Sequence, residues 1–83
     1  MSHVPHDLVS EFPEQAELIQ WLRASDRHFE RLAEEYHDLN RDLHRVETRV
    51  EAASEEREAQ MRRQRLFLKD QIAAALAAAR KAG

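Results

Sequence analysis

Four groups of side chains in this sequence could do chemistry: five histidines, a row of carboxylates, a cluster of bases and one Lys-Asp pair. His3, His6, His28, His37 and His44 could ligate a metal. No His-x-x-x-His pair occurs, and although Glu34 and His37 stand in Glu-x-x-His spacing, no second such pair accompanies them as a di-iron bundle needs. His37 and His44 are seven residues apart, about 10 Å along a helix, too far for one ion within a single chain. They read as solvated surface, and no metal site is assigned. Glu30, Glu34, Glu35, Asp38 and Asp42 could act as general acids or bases. That work needs a sheltered cleft to separate their acidities, and a thin helical protein offers none. They read as a solvated face.

The bases Arg57, Arg62, Arg63, Arg65, Lys69, Arg80 and Lys81 could contact phosphates, which takes only positive charge in a row. The chain as a whole is acidic, at −3, and the cluster lacks aromatic side chains for base stacking apart from Phe67. An accessory nucleic-acid binder is therefore the alternative reading, not the leading one. Lys69 and Asp70 are the most distinctive polar pair. Lys69 could bind an anion. Asp70 could accept a hydrogen bond from Tyr36 or an arginine across a helical seam, but the preferred role is structural, with Lys69 and Asp70 together fixing register. Glycine occurs only at Gly83 and cysteine not at all, so there is no phosphate-cradling loop and no thiol chemistry. No serine has a base at a recognisable spacing. The sequence thus offers no catalytic residue and no cofactor site, and it reads as non-enzymatic.

The elements that carry these side chains are helices. In 83 residues, prolines stand only at Pro5 and Pro13, and nothing from Glu14 to Ala82 is a strong helix breaker. A chain with 35% charged and 42% hydrophobic residues and no punctuation reads as long helices or coiled coil. The periodicity predicts an N-terminal arm over 1–12, with a short turn near Pro5 to Ser10. A single helical-hairpin domain over 13–83 follows, with helices at about 13–24, 26–51 and 55–81. Pro13 suits a first helical position, and Ser25 and Asp26 signal either a break or a kink. Ser54 can cap the last helix, with Glu55 and Glu56 in its first turn.

Phe29, Leu32, Tyr36, Leu39, Leu43, Val46 and Val50 alternate intervals of three and four, the seam of a coiled coil, and Ile19 and Leu22 extend the frame backwards. Met61, Leu68, Ile72, Ala75 and Ala79 keep seam spacing on the last helix. A turn near Ser54 sets Leu43 against Met61, Tyr36 against Leu68, Leu32 against Ile72, and Phe29 against Ala75 and Leu76. Fifteen acids and seven bases fall in residues 1–58, but one acid and six bases in 59–83. That asymmetry is better read as two halves folding onto each other than as a nucleic-acid-binding half. Glu35, Asp38 and Asp42 are expected to approach Lys69, Arg65, Arg63 and Arg62.

The expected fold is all-α: an antiparallel two-helix coiled-coil hairpin preceded by a short N-terminal helix. Its intrachain seam is Phe29, Leu32, Tyr36, Leu39, Leu43, Met61, Leu68 and Ile72. Such a hairpin cannot cover Trp21, Leu66, Phe67 and Leu76 as well, and contiguous exposed apolar surface marks an interface. Those four are the candidate interface, to a second copy in a homo-oligomer (dimer or tetramer) or to an unidentified protein partner. The longest apolar run, Ile72 to Ala79, is far short of the roughly 20 residues that span a bilayer. The N-terminus lacks the pattern of a secretion signal, so the expected compartment is the cytoplasm and no membrane role is expected.

The motifs Phe29-x-x-Leu32-x-x-x-Tyr36-His37-x-Leu39 and Gln64-Arg65-Leu66-x-Leu68-Lys69-Asp70-x-Ile72 resemble those of the small bacterial YdcH-like proteins. His6-Asp7-Leu8 and Glu11-Phe12-Pro13-Glu14 extend the likeness, which spans roughly residues 6–76. The resemblance implies a helical hairpin and no assigned activity. The chain departs from the family pattern at Leu43, at Met61-Arg62, and above all at Phe67, where a smaller or polar residue is common.

Overall fold

The computed structural model describes residues 8–48 and 52–82, and every regular element among them is helical. A single turn, α1 (Leu8–Glu11), leads to a 3-10 turn at Pro13–Gln15 and then to α2 (Ala16–Ser25). Two long helices follow, α3 (Arg27–Glu47) and α4 (Glu55–Ala82). The signal at Ser25 and Asp26 resolves as a break. Asp26 is extended, at φ −130° and ψ 108°, and does two jobs. Its backbone N–H donates to the Leu22 carbonyl at 2.8 Å and closes α2. Its carboxylate accepts from the His28 and Phe29 amides at 3.0 and 3.2 Å and caps α3. At the far end of α3, the Thr48 hydroxyl donates to the His44 carbonyl at 2.8 Å. Ser54 Oγ accepts from the Arg57 amide at 3.1 Å, and Glu55, Glu56 and Glu58 face the positive end of the α4 dipole.

α3 and α4 lie antiparallel. Glu47 meets Arg62 at 3.1 Å near the turn, and Asn40 meets Arg65 at 3.3 Å further along. Both pairs fall within about one helical turn of the register expected for a reversal at Ser54. At 1.5 Å per residue, the 28 residues of α4 span about 42 Å, which accounts for the 44 Å long axis of the molecule.

Two expectations need correction. The boundary at residue 12 does not separate an arm from a domain, because Leu8 is buried in the same core as Phe29, Tyr36 and Ile72. The described part of the expected Pro5–Ser10 turn is instead the start of α1. Residues 1–7, which hold Pro5, His3 and His6, and residues 49–51, which hold Val50, lie outside the described residues. The second correction concerns charge. Asp38 pairs with Arg41 at 2.9 Å and Asp42 with Arg45, both within α3 rather than across to α4. Partners three residues away on one helix cost less ordering than long side chains reaching over a seam.

The N-terminal segment makes the core larger than a hairpin alone would have. Ile19 and Leu22 of α2 pack with Leu8, Phe29, Leu32, Ala33, Tyr36, Leu68, Ile72 and Leu76. The segment Pro13–Leu18 borders a shallow cleft with Arg80, so it crosses the open end of the hairpin near the end of α4.

Candidate functional site

Of the expected seam, Phe29, Leu32, Tyr36, Leu43, Met61, Leu68 and Ile72 are buried and Leu39 is half-buried. Of the expected interface, Trp21, Leu66 and Phe67 are 62%, 59% and 59% exposed, while Leu76 is 1% exposed. Leu76 is thus a core residue and not part of an outer surface. It shares the core with Phe29 and Ile72 across the seam and with Leu8, Ile19 and Leu22 of α1 and α2.

The polar pair separates in the same way. Lys69 is half-buried and forms an ion pair with Glu11 of α1. The hydrogen bond from Lys69 to Glu11 raises the ammonium pKa above its ordinary 10.5, against a smaller opposing effect of burial. Asp70 points to solvent and takes no part in the seam. Tyr36 is buried, and no hydrogen bond joins it to Asp70. The polar group that does enter the seam is Asn40, 3% exposed, whose Oδ1 accepts from Arg65 Nη1. Neither Asn40 nor Glu11 was identifiable as a contact from the sequence pattern.

Glu11, Tyr36, Arg62, Arg65, Leu66 and Lys69 line a cleft of about 270 Å³. Its three cations already face anionic or polar partners. Arg62 reaches Glu47 and Glu58, Lys69 reaches Glu11, and Arg65 reaches Asn40. The Arg62 pKa is raised further above its normal range, chiefly by the hydrogen bond to Glu47. Carboxylates thus face Arg62 and Lys69, while Arg65 meets only the neutral amide of Asn40. His28, His37 and His44 stand exposed on α3. Among the described residues no three His, Asp or Glu side chains gather as metal ligands, and no helix is long and apolar enough to cross a membrane.

The long paired helices that carry Phe29 to Leu76 are also the part of the chain that a known family describes. The model of DUF465, a protein family of unknown function, matches residues 29–76, more than half of the sequence. The chain belongs to the DUF465 family. The YdcH-like proteins, whose motifs the sequence resembles, fall within DUF465. The matched span runs from the first seam residue of α3 to Leu76 of α4 and leaves α1 and α2 outside it. No curated protein and no solved structure matches the chain.

Proposed function

We propose that the chain is a non-enzymatic interaction protein, which binds a helix through the large apolar side chains outside its core. The observation that carries this reading is the exposure of Trp21, Leu66 and Phe67 on regular helices, while the other large apolar side chains of α3 and α4 are buried or half-buried. Leaving Leu66 and Phe67 in water forgoes about 1.5–3 kcal/mol of burial for each. A chain this short has little stability to spare. That cost is recovered when another helix covers them. The bound helix comes from a second copy, giving a homo-oligomer, or from another protein in the cytoplasm.

The nucleic-acid alternative is the weaker one, because Arg62 and Lys69 of the basic cluster are paired with Glu47, Glu58 and Glu11, and Phe67 is the cluster's single aromatic side chain. The deciding experiment is purification of the tagged full chain from its own host at native abundance, with nuclease controls and mass spectrometry. Protein recovered with the chain, as further copies or as a stoichiometric partner, and released by Phe67→Ala, supports the reading. Recovery of nuclease-sensitive nucleic acid, with Phe67→Ala changing nothing, would end it.

A further inference from the structure

The identity of the bound helix can be argued further, on the reading just given. At roughly 100° per residue, Leu66 and Phe67 sit side by side on the face of α4 turned away from α3, since Met61, Leu68 and Ile72 hold the opposite side. Arg63 and Asp70 fall between them in projection, one turn to either side. Ala59 and Ala74 carry the same face one turn further at each end. All six lie within an arc of roughly 100°. Ala59 is half-buried and the other five are exposed.

The order of residues on this face is symmetrical about the Leu66–Phe67 bond. The large apolar pair is central, the opposite charges Arg63 and Asp70 flank it, and the alanines close it. Among the described residues, neither the Arg63 nor the Asp70 side chain has a hydrogen-bond or ion-pair partner within the chain. Asp70 is, moreover, the single acid in residues 59–83.

We propose that this face of α4 binds the same face of a second copy, antiparallel, about a two-fold axis through the Leu66–Phe67 bond. Each contact then occurs twice, as two-fold symmetry requires. Leu66 meets Phe67 of the second copy, Arg63 meets its Asp70, and Ala59 meets its Ala74. The small alanines allow the close approach of axes that helix packing needs. A parallel pairing is disfavoured because it would set Arg63 on Arg63 and Asp70 on Asp70, like charges opposed. A foreign helix would have to bring this complement with it, whereas the chain already carries its own.

Sedimentation equilibrium on the full chain tests the pairing with wild type, Arg63→Glu, Asp70→Arg and an equimolar mixture of the two variants. The wild type is expected to dimerise at tens of micromolar. Each variant alone opposes like charges twice and should dissociate about tenfold more readily, or worse. Mixed, they should recover a one-to-one dimer near wild-type affinity, because both cross-copy contacts are again of opposite sign. Recovery on mixing also shows that neither variant had simply unfolded. A monomeric wild type, variants that associate like wild type, or a mixture that fails to recover would each overturn the pairing. Unperturbed association of the variants would leave the broader reading intact through another face. That reading fails on the purification result instead.

Discussion

Asn40 stands where the α3 seam would take an apolar side chain. It lies eleven residues from Phe29, about three full turns of a straight helix, and so directly in line with it. A strict heptad frame drifts from that line and selects Leu39, which is why the ladder in the sequence passed over Asn40. Buried at 3% exposure, its amide oxygen has Arg65 for a partner. A buried polar contact of this kind fixes which turn of one helix faces which turn of the other. Asn40→Ala strands part of that contact and should cost about 1–2 kcal/mol of stability, measured by urea denaturation followed by circular dichroism. Asp70→Ala, in solution dilute enough to keep the chain monomeric, should stay within about 0.5 kcal/mol of wild type, because an exposed side chain loses no buried partner. If the two effects came out reversed, register would rest on Asp70 after all.

Among the elements, α1 and α2 contribute most that a hairpin reading lacked. The seam frame continued backwards through Ile19 and Leu22, so the helix now seen as α2 was legible as amphipathic. Whether it ran on into α3 or folded away was not, because Asp26 caps a new helix equally well after a kink or a break. Leu76 stands one turn beyond Ile72 on the same face of α4, so the spacing within that helix already set it on the seam side, and it is buried there. The clasp between α1 and α4 is the Glu11–Lys69 pair. Lys69 has its pKa raised in the folded state, so its contribution is fully present below the ordinary value of 10.5 and is lost as pH rises through the higher folded value. Lys69 remains partly exposed, and solvent screening holds the contribution to about 0.2–1 kcal/mol. Glu11→Gln should therefore lower stability by that amount near neutral pH, and the gap should close as pH rises through the raised folded pKa and the ammonium deprotonates. Denaturation curves of both proteins across the alkaline range read this directly. A constant gap would mean that Glu11 acts by packing and not by charge.

The molecule as a whole has a well-filled interior and an outer helix face with apolar character of its own. α4 carries seam residues on one side and Leu66, Phe67, Ala74 and Ala77 on the other, so α3 alone does not cover it. On the proposed pairing, association is part of the stability of this 83-residue chain, because a partner that binds only the folded form stabilises it by mass action. When free protein exceeds the dissociation constant a hundredfold, that stabilisation is about 2.7 kcal/mol. In a domain of this size it raises the melting temperature on the order of 10 °C. Melting curves recorded over a wide range of protein concentration should therefore move upward for the wild type. Phe67→Ser should flatten that dependence without lowering the melting temperature of the dilute chain, since Phe67 is 59% exposed and contributes little to the interior. A wild-type melting temperature independent of concentration would place the cover for Leu66 and Phe67 on another protein, and a dilute Phe67→Ser chain melting well below wild type would place Phe67 in the core.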